Sequence, residues 1–200
     1  ELAPAQIRPQ PQVNEVDLDM NPQRDETYAA INPQRKSPTL ITPEDEVLTE
    51  TAAILITLDE RHPEANLFPP VSSPERAQAL RSLLFLATEI YPIIEINDYP
   101  ERFTSDPENA PDMRETAREI WRKRWLLVNE SIAGDPFYLE WGFSVVDMYI
   151  AVVSRWAQQD SWRPGNIPKV EKLTQAVCTR SRLASIWNRH QPDHSPGRFE

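Results

Sequence analysis

The stretch from Pro63 to Pro74 constrains this chain more than any other, because it separates two regions of different periodicity. Pro63, Pro69, Pro70 and Pro74 bracket Ser72-Ser73. Each proline fixes φ and removes a backbone donor, so neither a helix nor a central strand runs through, and the composition is that of a domain boundary. We place the boundary between residues 1–66 and 67–200.

Upstream of it the elements are short. Residues 1–12 are polar and carry Pro4, Pro9 and Pro11, an irregular lead-in. Val13, Val16 and Leu18 punctuate a candidate strand over Asn14–Met20, followed by a turn at Asn21-Pro22. Asp25 to Ile31 reads as a short helix stopped at Asn32-Pro33. Ser37 to Ile41 is β-prone, Thr42 to Glu46 is a polar turn, and Val47-Leu48 is a second short strand. From Glu50 the period changes: Ala53, Ile54, Leu55 and Leu58 share one side of a helix ending near Arg61-His62-Pro63.

Downstream, helix signals dominate. Ser73 before Pro74 is an N-cap followed by proline at the first helical position. That helix continues through Leu80, Leu83, Leu84, Ala87, Ile90 and Ile94, with Pro92 expected to kink it. A loop over Tyr99–Pro111 leads to a second long helix marked by Ile120, Trp121, Trp125 and Leu127. Three further helices are expected over 144–158, 168–179 and 181–190. A mixed α/β lobe followed by an all-α lobe is the resulting architecture.

The charge balance narrows the partners. The chain has 21 basic and 31 acidic side chains, a net charge of −10, and residues 1–70 alone hold 5 basic and 13 acidic ones. Such a chain is a poor match for nucleic acid or an anionic membrane. Arg122-Lys123-Arg124 reads as a solvated helix face. The single cysteine, Cys178, excludes an internal disulfide framework and suits a reducing cytoplasm; its place in a late helix makes it an apolar side chain rather than a nucleophile. No apolar run has the length of a membrane span. His62, His190 and His194 show no ligand spacing, so no metal is expected.

Four local patterns carry further meaning. Asn32-Pro33-Gln34-Arg35-Lys36-Ser37-Pro38-Thr39-Leu40 enters the first β-prone run through an X-Pro bond. Glu50-Thr51 opens a helix with a carboxylate beside a hydroxyl. Phe143-Ser144-Val145-Val146-Asp147 has the spacing of a capping box with a hydrophobic staple, Ser144 and Asp147 capping each other. Ile167-Pro168 through Trp187 is a proline-started helix followed by a tryptophan-bearing one, Trp187 serving the core.

Taken in this order, residues 13–190 resemble the glutathione S-transferase family from its second strand onward. The resemblance implies an α/β thioredoxin-like N-terminal domain and an all-α helical-bundle C-terminal domain. It implies a cis bond at Ser37-Pro38, whose outward backbone pairs with the cysteinyl unit of glutathione; the family usually has an aliphatic residue where Ser37 stands. It assigns the γ-glutamyl carboxylate to Thr51, the γ-glutamyl amine to Glu50 and the glycyl carboxylate to Arg35. The residue that activates the glutathione sulfur in the family, a Tyr, Ser or Cys, belongs to a first strand and helix expected upstream of Glu1, so the N-terminal domain is expected to be incomplete here. The implied protein is a cytoplasmic, dimeric detoxification enzyme, with glutathione as substrate, no metal, and a small hydrophobic electrophile as the second substrate. Tyr91, Phe85, Trp121 and Trp125 are the aromatic candidates for the electrophile pocket, with core packing as their competing role. The alternative is a non-catalytic binding or scaffold protein that keeps the fold, and the acidic turn Thr42-Pro43-Glu44-Asp45-Glu46 beside the site favours it.

Overall fold

The computed structural model describes residues 26–156 and 161–190, which fall into two compact units divided between Ala65 and Asn66. The lead-in and the strand expected over Asn14–Met20 lie outside the described residues, as does the last part of the helix expected over 144–158.

In the first unit, helix α1 (Glu26–Ile31) precedes an antiparallel pair, β1 (Thr39–Ile41) and β2 (Val47–Thr49), and helix α2 (Thr51–Arg61) follows. The register opposes Thr39 to Thr49, Leu40 to Leu48 and Ile41 to Val47. The turn between the strands closes on Thr42, a buried side chain whose hydroxyl accepts from the N–H groups of Glu44 (3.3 Å) and Glu46 (3.2 Å). A threonine here supplies the acceptor that a tight turn otherwise lacks. Ile54, Leu55 and Leu58 form the buried stripe of α2.

The proline-rich connection is not a loose tether. Leu67 and Phe68 are buried, the Leu67 carbonyl accepts from Val145 N–H at 2.8 Å, and Arg76 donates to the Pro69 carbonyl at 2.9 Å. All of these partners belong to the second unit, so the segment is anchored there by its own backbone.

Helix α3 (Pro74–Phe85) starts where Ser73 caps it, the hydroxyl accepting from Arg76 N–H at 3.2 Å. The kink expected at Pro92 is a π-turn over Leu86–Ile90, after which α4 (Tyr91–Asp98) resumes with Pro92 in its first turn. Arg124 stabilises this turn from α5 (Ala110–Ser131), donating to the Glu89 carbonyl and pairing with the Glu89 carboxylate at 2.6 Å. The remaining helices are α6 (Val145–Val153), α7 (Arg163–Asn166), α8 (Pro168–Cys178) and α9 (Ala184–His190). Helix α7 and the 3-10 turns Pro100–Arg102 and Pro107–Asn109 had no sequence expectation, since one turn is too short to show a period.

The core of this unit forms where α5 meets α4 and α6 meets α8. Ala117, Trp121, Trp125 and Val128 make the inward stripe of α5, and Val170, Leu173 and Val177 that of α8. Trp121 also stands edge-on to Trp162, with ring centroids 5.7 Å apart. Helix α6 is buried almost all round, so its start must be satisfied internally. Ser144 and Asp147 form its capping box. One Asp147 oxygen accepts from Ser144 N–H (2.7 Å) and from the Ser144 hydroxyl (3.1 Å), and the other accepts from Tyr138 N–H (2.7 Å). Tyr138 in turn accepts from the Ser82 hydroxyl at 2.8 Å, so one carboxylate ties α6, the 133–143 loop and α3 together. Gly134 is required in that loop, because a Cβ there would lie 2.3 Å from the Leu139 carbonyl oxygen.

Burial pushes the Asp147 carboxyl up to about 6, against the opposing pull of the Tyr138 and Ser144 donors. The folded protein therefore binds this proton more tightly than the unfolded chain, whose carboxyl titrates near 3.8. Its contribution to stability is greatest at low pH and falls as pH rises through that interval. Comparing urea unfolding of wild type and Asp147→Asn across this range should show the wild-type advantage shrinking with rising pH. Asp147→Ala, which strands buried N–H donors, should cost about 2–4 kcal/mol by denaturant unfolding at neutral pH.

Candidate glutathione site

The β1–β2 register brings two of the sequence patterns to one end of the ladder. Thr39 and Thr49 are its last pair there, so Ser37-Pro38 and Glu50-Thr51 both leave from the same edge. Between them the Gln34 side-chain amide donates to Glu50 Oε1 at 3.3 Å, a direct tie between the loop after α1 and the start of α2.

On the loop side, the Ser37-Pro38 bond is cis, and both residues are exposed. Arg35 is also exposed and adopts φ 54° in the turn closed by its N–H on the Asn32 carbonyl, 2.9 Å. Left-handed backbone at a non-glycine residue is uncommon. On the helix side, Glu50 holds φ 67° at the N-cap position of α2. No side chain caps this helix. Its first N–H groups have no acceptor within the helix itself, and the helix dipole adds positive potential where they emerge. Thr51, half-buried, is the first residue of this helix. Strained backbone of this kind concentrates at binding sites. Spacing alone carries no signal for it, and neither Gln34 nor the conformation of Glu50 was anticipated.

The acidic turn is compensated. Arg61, at the end of α2, reaches Glu44 (2.5 Å) and Glu46 (3.2 Å). The Arg61 hydrogen bond also holds the Glu44 carboxyl below its usual range. Two of the turn's charges are thus paired with a cation of α2.

In the helical unit, Trp121 and Trp125 are fully buried and serve the core, which removes them as pocket-lining candidates. Phe85 is half-buried and lines a cavity of about 120 Å³ with Ser82, Leu127, Ser131 and Tyr138. Tyr91, also half-buried, packs edge-on against Trp156, centroids 5.5 Å apart. Trp187 is 6% exposed, with the Arg155 guanidinium over its ring. The basic run of α5 is paired rather than simply solvated: Arg122 with Glu115, Lys123 with Glu119, Arg124 with Glu89. Among the described residues no cluster of three His, Cys, Asp or Glu side chains is arranged for a metal, and no helix is long and apolar enough to cross a membrane.

Comparison with known proteins agrees with this architecture. The family described as glutathione S-transferase, N-terminal domain matches residues 7–66. The GST-like protein YncG of Escherichia coli K12 is 29% identical over 167 residues, covering 83% of this chain and 79% of its own length. Glutathione S-transferase GstA of Escherichia coli O157:H7 is 28% identical over 130 residues, 65% of this chain and 61% of its own. The crystal structure of a glutathione transferase homologue from Sulfitobacter, with bound glutathione, superposes with a TM-score of 0.84 at 26% identity, covering 94% of this chain and 91% of that one. The fold is thus a thioredoxin-like α/β N-terminal part followed by an all-helical C-terminal part. In both parts the chain is similar to proteins of the glutathione S-transferase family.

Cys178 closes α8 in the helical unit. Burial raises its thiol to about 11, so at neutral pH almost none is thiolate. Native protein at pH 7.5 should react with Ellman's reagent many times more slowly than protein unfolded in urea; equal rates would contradict this burial.

Proposed function

We propose that the unit ending at Ala65 is a glutathione-binding domain that holds the tripeptide extended and offers its sulfur to a small hydrophobic electrophile. The observation that carries this reading is the convergence at one end of the β1–β2 ladder. Exposed backbone at Ser37 meets a helix start with no side-chain cap at Glu50-Thr51 there.

The chemistry of glutathione fits that arrangement piece by piece. Its cysteinyl unit is an extended peptide, suited to pair with the Ser37 backbone beside Pro38. Its γ-glutamyl carboxylate suits the N-terminus of α2 and the Thr51 hydroxyl, while the neighbouring ammonium suits the Glu50 carboxylate. Arg35, exposed on the same loop, takes the glycyl carboxylate. In the reaction the bound thiol loses its proton, the sulfur forms a C–S bond with the electrophilic carbon, and the leaving group departs with its electron pair. These residues bind and orient; the donor that lowers the thiol pKa is not among them. The similarity of residues 7–66 to the glutathione S-transferase N-terminal domain and the glutathione bound to the Sulfitobacter homologue support the reading. A cytoplasmic homodimer completes it.

Titration calorimetry with reduced glutathione should show saturable binding, and conjugation of 1-chloro-2,4-dinitrobenzene should proceed with it. Glu50→Ala and Thr51→Ala should each weaken binding by roughly tenfold or more, as loss of a charge-assisted contact implies. Binding without turnover would favour a non-catalytic protein of this fold, and absence of binding by wild type would overturn the proposal.

A further inference from the structure

We propose that Asn32, assisted by Tyr28 and Thr39, is a positioning residue that sets the direction of the Ser37 backbone N–H toward glutathione; this rests on the binding reading above.

The argument begins with the Lys36 carbonyl. It accepts from the Tyr28 hydroxyl at 2.8 Å and from the Asn32 side-chain amide at 2.5 Å, so both of its lone pairs are engaged. Thr39 joins the cluster, its Oγ1 lying 2.9 Å from the Tyr28 oxygen and 3.3 Å from Asn32 Nδ2. The proton assignment is determined by these contacts. Tyr28 has one proton and gives it to Lys36, so Thr39 donates to the Tyr28 oxygen and accepts from Asn32. Asn32 Oδ1 is used as well, accepting from Gln34 N–H at 3.0 Å.

The Asn32 side chain therefore ties the loop that carries Arg35 and Ser37, through Gln34 and Lys36, to Thr39 of β1. The residue is 2% exposed, so water cannot replace those bonds if they are removed. Thr39 opens β1 opposite Thr49, which anchors the cluster to the strand ladder rather than to the loop alone.

The consequence for the site follows from peptide geometry. The Lys36–Ser37 bond is not among the cis bonds, so its C=O and N–H are held in one plane and point in opposite directions. Two donors gripping the carbonyl on the protein side direct the Ser37 N–H away from the cluster, outward. A loop of exposed residues, Pro33 to Pro38, would otherwise sample many orientations of that group. In sequence Asn32 looks like a helix stop before proline. In the structure it also sets the aim of the residue five positions later.

Four variants of the full chain separate this role from mere stability. Asn32→Asp keeps size and the acceptor for Gln34 but removes both donated bonds and opposes the Lys36 carbonyl with charge. Asn32→Ala removes all three, Tyr28→Phe removes a single hydroxyl, and Thr39→Ser preserves the hydroxyl as the conservative control. With reduced glutathione as the probe, calorimetry should show roughly tenfold weaker binding for both Asn32 variants and a few-fold loss for Tyr28→Phe. Thr39→Ser should match wild type. KM for glutathione should rise while KM for 1-chloro-2,4-dinitrobenzene stays constant. In Asn32→Ala, hydrogen exchange at the Gln34 amide, which loses its Asn32 acceptor, should accelerate without change in α8. Wild-type affinity in folded Asn32→Asp and Tyr28→Phe would overturn this inference alone. Failure of wild type to bind glutathione would overturn the binding reading and this inference with it.

Discussion

The contact on which the helical unit depends is the Asp147 carboxylate with the N–H groups of Ser144 and Tyr138. Helix α6 is enclosed by apolar neighbours, so its first-turn donors have no water to turn to. A single side chain meets part of that need from within the helix and spends its other oxygen on the 133–143 loop. The loop then reaches α3 through Tyr138 and Ser82. The first N–H of α6 is answered from a different direction, by the Leu67 carbonyl. Order in the centre of the bundle thus rests on a few polar bonds between segments far apart in sequence, with the tryptophan and aliphatic packing built around them.

The α/β unit solves the same problem differently. Its only described sheet is a pair of three-residue strands, too short for independent stability. Side chains around the strand ends supplement it: Thr42 closes the turn at one end, and Tyr28, Asn32 and Thr39 gather the chain at the other. At the second end stand the exposed residue Ser37 and the start of α2, which no side chain caps.

Much of the fold was legible because its punctuation is chemical and local. Ser73-Pro74 and Ile167-Pro168 mark helix starts, Asn32-Pro33 marks a stop, and Ser144 with Asp147 marks a capping box; each needs only neighbouring residues to act. What could not be read depends on distant partners or on backbone angles. The π-turn is gripped by Arg124 from another helix. The burial of Leu67 and Phe68 inside a proline-rich connection depends on α3 and α6. Trp121 and Trp125 have a spacing that serves a core stripe and a pocket wall equally well, and only packing distinguishes the two. In the candidate site, Ser37, Glu50 and Thr51 could be named from their motifs, but their shared edge follows from strand register. The positive φ of Arg35 and Glu50 has no compositional signature at all.

The π-turn has a further implication for how this protein can vary. Because the Tyr91 N–H bonds to the Leu86 carbonyl five residues back, the helix carries one residue more than an α-helical path between the same points needs. That residue turns everything after it by about 100° relative to an uninterrupted helix. Ala79 and Leu83 before the turn, and Ile93 and Ile94 after it, are all buried. Chain length along this rod is therefore information, as much as residue identity is. Surface loops accept a residue more or less with little consequence. In this rod one residue could be removed at the π-turn, which would close into regular α-helix, but not on either side of it without rotating one half by about 100°.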